Sequence, residues 1–128
     1  MELQHGDGRT AVRVTWSQMG SGLIVCLAND NAHIGAVALG EYDAREGRAS
    51  TSVMTRLGHK DDRVATRAAH RLAKELRQPV CVVAGIHVDQ ITEAEIATIG
   101  ANCDALVERV LAILLATVST EDQSPPRS

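Results

Sequence analysis

Residues 49–76, ASTSVMTRLGHKDDRVATRAAHRLAKEL, contain the change of hydrophobic period that decides the fold. Ala49, Thr51, Val53, Thr55 and Leu57 alternate with Ser50, Ser52, Met54 and Arg56, the period-two pattern of a strand with one covered face. Gly58 stops that pattern. From Asp61 or Asp62, either of which is a suitable helix cap, Val64, Ala65, Ala68, Ala69, Leu72 and Leu76 return at helical spacing as far as Arg77. Gln78-Pro79 then breaks the helix, because proline has no amide to donate.

Reading outward, Val12, Val14 and Trp16 alternate with Arg13 and Thr15, and Gly20 and Gly22 mark a hairpin turn. Leu23 to Ala28 is continuously apolar, the mark of an interior strand, and Asn29-Asp30-Asn31 supplies a turn before a third run, His33 to Leu39. Gly40 to Arg48 reads as a loop, so the first four strands read as an antiparallel meander. Beyond the first helix, Val80 to Ala84 reads as a fifth, buried strand. Thr92-Glu93-Ala94-Glu95 matches a capping box at the start of a long second helix. Ile96, Ile99, Cys103, Leu106, Val110 and Leu114 form its apolar face, widened by Val107, Leu111 and Leu115, which is more than one face needs and predicts that part of it covers a partner protomer. The expected fold class is α+β, two-layer, a mainly antiparallel sheet packed by two helices. The expected organisation is a flexible start over 1–9, one domain over 10–118 and a disordered tail over 119–128.

Composition narrows the function. With 128 residues the chain fits a single domain, and aromatics are only 2%, so Val, Leu, Ile and Ala must build the core. A formal charge of -3 and the scarcity of aromatic rings argue against nucleic acid as a partner. Cys26, Cys81 and Cys103 lie singly in apolar stretches and read as reduced, buried thiols of a cytoplasmic protein. No segment reads as an export signal or a membrane span. There is no GxSxG, GxGxxG or Walker pattern to suggest a hydrolase or a dinucleotide-binding fold.

Three tracts carry the chemistry: His33-Ile34-Gly35, Gly58-His59-Lys60-Asp61-Asp62 and Gly85-Ile86-His87-Val88-Asp89. Each sits where a strand meets a loop, the position from which a rigid scaffold presents reactive groups. Any one histidine alone is as readily an ordinary loop residue; their joint placement points to a shared cavity. Lys60 beside a helix start suits an anion such as phosphate, one aspartate is left over once the other caps the helix, and Gly35, Gly58 and Gly85 permit close approach of backbone to a ligand.

In their order and separation, His33-Ile34-Gly35-Ala36-Val37-Ala38, Gly58-His59-Lys60-Asp61-Asp62 and Val83-Ala84-Gly85-Ile86-His87-Val88-Asp89 resemble the prenylated-flavin chaperone LpdD-like family, whose members are also described as accessory components of gallate decarboxylase. The resemblance runs from about Val12 to about Leu115. It implies a fold similar to that of proteasome assembly chaperones, commonly dimeric, and an accessory protein that binds prenylated FMN with a metal ion for a UbiD-type aromatic-acid decarboxylase. The cofactor-binding candidates are His33, Gly35, Gly58, His59, Lys60, Gly85 and His87. The candidate ligands of a divalent ion are His59, Asp61, Asp62, His87 and Asp89, a mixed nitrogen and oxygen set. Their spacing matches neither a zinc finger nor HExxH, so the metal follows from the resemblance and from convergence. Two other functions use the same residues differently: a metal-dependent small-molecule enzyme, which would turn over without flavin, and a non-catalytic dimeric assembly module, which would not need the histidines.

Overall fold

The computed structural model of the chain describes residues 1–56 and 61–122. Leu57, Gly58, His59 and Lys60 lie outside the described residues. Six strands form one sheet: β1 (Glu2–His5), β2 (Val12–Met19), β3 (Gly22–Ala28), β4 (Ala36–Asp43), β5 (Arg48–Thr55) and β6 (Val80–Gly85). Helix α1 (Asp62–Leu76) lies between β5 and β6 in the chain, and α2 (Glu93–Asp122) follows β6. The spatial order is β1-β2-β3-β6-β4-β5, so the sheet is antiparallel except where β6 lies parallel to β3. The expected fold class is found.

The details differ from the sequence reading in four places. The first four strands are not a meander, because β6 is inserted between β3 and β4 and pairs with both. Continuous apolar runs in β3 and β6 mark them as central strands, but alternation within a strand carries no information on its neighbour. The expected loop after Leu39 is mostly strand: β4 extends to Asp43, and only 44–47 turn before β5. The start is not flexible: β1 pairs with β2, Leu3 packs against the core, and Met1 and Trp16 exchange hydrogen bonds at 3.0 and 3.1 Å. Helix α2 continues to Asp122, beyond the expected limit at 118, while residues 123–128 lie outside the described residues.

One core fills the space between one sheet face and the helices. It takes alternate residues from each central strand, such as Leu23, Val25 and Leu27 in β3 and Val80, Val82 and Ala84 in β6. Helix α1 lies over β4, β5 and β6, and α2 over β1, β2 and α1. The surplus apolar surface of α2 is mostly consumed within the chain, since Leu106, Val107, Val110 and Leu111 are all buried; Ile96 and Leu115 stay exposed. The covered face of α1 is largely alanine, with Ala65, Ala68, Ala69 and Ala73 buried. This small-residue surface lets the helix backbone settle on the sheet, which is how a core almost without aromatics closes without voids. The closest approach is at Gly40, where a Cβ would lie 2.5 Å from the Ala69 carbonyl oxygen and 3.1 Å from the Ala73 methyl.

Across the outer surface of the helices, Arg67 pairs with Asp104 at 2.7 Å and Arg71 with Glu108 at 2.8 Å. These exposed pairs set the register of α1 on α2 more than they stabilise it. Cys103 is buried among the helices, and burial pushes its thiol up to about 12. It is therefore inert at neutral pH.

Because Gly40 faces helix backbone and not a movable side chain, Gly40→Ala must force α1 away from the sheet. Urea denaturation is expected to show a loss of about 1–3 kcal/mol with an unchanged m-value.

Candidate functional site

The insertion of β6 between β3 and β4 brings three chain segments together at one end of the sheet. They are the loop leading into β4, the head of α1 and the loop leaving β6. Gly35 donates its N–H to the Ala84 carbonyl at 2.9 Å, and Arg56 clamps the same loop from the other side. Its N–H reaches the Gly35 carbonyl and its guanidinium the Ile34 carbonyl, each at 2.9 Å. The two glycines here are required by contact, not by backbone angle. A Cβ on Gly85 would run into the His33 carbonyl, and one on Gly35 into the Asp61 carboxylate. Only residues without side chains allow the His33 loop to pass so close to β6 and the buried Asp61 to sit against the loop.

The loop after β6 carries His87 and Asp89. Buried Asn29 grips the His87 backbone twice, its Nδ2 donating to the His87 carbonyl at 2.7 Å and its Oδ1 accepting the His87 N–H at 3.1 Å. The His87 ring stands 5.5 Å from that of His33, tilted by 48°. Its Nε2 lies 2.8 Å from an Asp89 carboxylate oxygen. An ionised Asp89 fixes the proton on Nε2 and turns Nδ1 into the acceptor or ligand atom.

The far end of this loop is held by the helix cap. Thr92 donates its N–H to Glu95 Oε1, and Glu95 donates its N–H to Thr92 Oγ1, both at 3.1 Å. This is the capping box read from the sequence. Arg9 joins it from the single 3-10 turn Gly8–Thr10, donating to the Glu95 carboxylate and to the Asp89 carbonyl. The Thr92 N–H, followed by Arg9, holds the Glu95 carboxyl below the usual carboxylate range. The other expected cap is absent: Asp61 occupies the N-cap position of α1 but makes no side-chain capping bond. Its carboxylate is engaged over Gly35 instead.

Between the head of α1, the β6 loop and the start of α2 opens a cleft of about 540 Å3. Val64, Ile86, Val88, Ile91, Ile96 and Ile99 form its apolar walls, and Asp61, Asp62, Arg63 and His87 its polar side. Such a lining suits a ligand with a flat apolar body and a few polar handles.

Of the expected site residues, His33, Gly35, Asp61, Asp62, Gly85, His87 and Asp89 belong to these three segments, while Gly58, His59 and Lys60 lie outside the described residues. Among the described residues, no three His, Cys, Asp or Glu side chains come together as a metal site. The sequence reading missed Asn29, Arg9 and Arg56. Asn29 was read only as a turn residue, and nothing in its local pattern reveals a partner 58 positions away. The cleft's isoleucines were visible only as a helix stripe and a loop.

The architecture is that of a known chaperone fold. The chain superposes on the crystal structure of a novel chaperone complex for yeast 20S proteasome assembly with a TM-score of 0.57, covering 91% of this chain and 95% of that one at 12% identity. Residues 6–115 match the prenylated flavin chaperone LpdD-like domain. Protein LpdD of Lactiplantibacillus plantarum is 31% identical over 103 residues, covering 73% of this chain and 69% of the relative. The chain belongs to the LpdD-like family of prenylated flavin chaperones.

Removing the Asn29 grip with Asn29→Ala is expected to cost about 1–3 kcal/mol, since it strands a backbone donor and acceptor. Hydrogen exchange at the His87 amide should accelerate, and Asn29→Asp, which keeps the acceptor and loses the donor, should fall between. A second expectation concerns acid. Because folding depresses the Glu95 carboxyl, its contribution to stability is fully present above the unfolded chain's carboxylate pKa and is lost as pH falls through the lower folded value. In Glu95→Gln, urea midpoints should therefore decline less steeply below the ordinary carboxylate range than in the unaltered protein.

Proposed function

We propose that this protein is an accessory maturation factor that holds prenylated FMN, with a divalent ion, for a UbiD-type aromatic-acid decarboxylase, and that it works in the cytoplasm as a homodimer. Family membership supports the accessory role. The observation that carries the flavin reading is the cleft, where an apolar wall from three segments faces the acidic head of α1, Arg63 and an imidazole of fixed tautomer. The flavin supplies the organic chemistry when bound, and the protein contributes orientation, charge and exclusion of water.

The residues fit such a ligand in a particular way. Trp16 is buried in the core, and Tyr42 sits at the opposite end of β4, its ring 5.4 Å from the Arg77 guanidinium, so neither is available to stack on a flavin here. The tricyclic ring and its prenyl-derived portion are instead received by Ile86, Val88, Ile91, Ile96 and Ile99. Arg63, with Lys60, Gly58 and the amides at the start of α1, is assigned to the phosphate. His87 presents Nδ1 to the ligand, with His33 beside it. The divalent ion is assigned to His87 and Asp89, with His59, Asp61, Asp62 or phosphate oxygen completing its shell.

Purified protein mixed anaerobically with prenylated FMN should perturb the flavin absorption spectrum and carry the flavin through gel filtration. Ile96→Asp and His87→Ala should each weaken binding by about tenfold or more, equivalent to about 1.4 kcal/mol. Chelation should weaken binding to unaltered protein but add little in His87→Ala. Absence of binding with or without divalent metal would sink the flavin reading.

A further inference from the structure

Both helices cover the same face of the sheet, and among the described residues no element covers the other. Two complete rows of side chains cross that bare face. One runs Ser17, Ile24, Cys81, Leu39, Ser52, and the next Thr15, Cys26, Val83, Val37, Met54. The middle of each row is apolar and uncharged, and three of the four ends carry a hydroxyl. Leu39 is 46% exposed and Met54 73%, and the central side chains are only partly buried, by their own neighbours.

This is an unusual state for these strands. Central parallel strands composed of unbroken apolar residues, as β3 and β6 are from Leu23 to Ala28 and Val80 to Ala84, are ordinarily covered on both faces. Here half of that apolar content faces outward. An apolar centre with a polar rim is the anatomy of a protein interface.

We propose that the occupant is a second copy of this chain, packed sheet to sheet across the two rows. The face carries no charge at its centre, so it offers nothing to select an oppositely charged partner, and short hydroxyl rims tolerate meeting themselves about a two-fold axis. Its size also fits. Five strands at about 4.8 Å spacing and eight residues long give a projected face of roughly 500 Å2, whose rougher accessible surface approaches the about 800 Å2 per partner of a standard stable interface. The interface thus lies on the sheet and not on α2, whose apolar surplus is spent within the chain. The inference deepens the homodimer named above and is independent of whether flavin binds.

Sedimentation of the full chain should give twice the 13.7 kDa chain mass. Leu39→Glu and Val83→Lys should return it to the chain mass with an unchanged far-ultraviolet dichroism spectrum, while Leu115→Glu on α2 should leave the dimer intact. Cys26 and Cys81 provide a measurement that needs no variant: both should react with a maleimide faster in dilute than in concentrated protein, with Cys103 protected throughout. A chain that is monomeric at all concentrations, or a dimer that survives both sheet variants and dissociates with Leu115→Glu, would overturn the proposal. Flavin binding followed in the same samples separates the two readings, since its loss with an intact dimer counts against the flavin assignment alone.

Discussion

The structure depends on the position of β6. A single strand laid parallel to β3 and antiparallel to β4 closes the sheet and decides which chain ends meet. Ala28, Ala36 and Gly85 all fall at one end of these three strands, so the segments flanking them must share the same few ångströms. Backbone-only positions make this possible. Gly85 admits the His33 carbonyl and Gly35 admits the Asp61 carboxylate, and Gly40, farther along β4, admits the α1 backbone. A side chain at any of them separates two elements that the candidate site needs together.

From this constraint follows a division of labour among the polar residues. Asn29, Arg56 and the Arg9–Glu95–Thr92 cluster satisfy backbone groups of the two histidine-bearing loops, and thereby fix loops that have few apolar contacts of their own. His87, Asp89, Asp61 and Asp62 remain at the surface they define. The arrangement is that of a prepared binding surface: rigid support lies behind the groups, and an isoleucine-rich cleft lies before them. An accessory protein that passes on a reactive cofactor needs orientation and shielding more than it needs an acid or base of perturbed strength.

Much of this was legible locally. The change from period two to helical spacing around Gly58, the stop at Gln78-Pro79 and the reciprocal Thr92–Glu95 cap are interactions among residues close in the chain, and all appear in the fold. The glycines of the three tracts were also informative, because Gly35 and Gly85 do allow close approach, although of other protein groups. Other readings failed where distant partners intervene. Asp61 looks like a helix cap in isolation but is drawn to Gly35, and the start looks unstructured until Leu3 finds the core and β1 finds β2.

The sequence by itself determined the elements, their apolar faces and the candidate chemistry, because propensity, periodicity and capping act over a few residues. Only the tertiary structure decided the strand order, and with it the meeting of the His33 and His87 loops, the support given by Asn29 and Arg9, and the cleft beside α2. Strand pairing is a long-range choice among edges with similar hydrogen-bonding groups, and alternation within a strand does not name its neighbour. The same choice left one face of an apolar sheet bare, a fact that no local pattern states, since the pattern records only that both faces are fit to be covered.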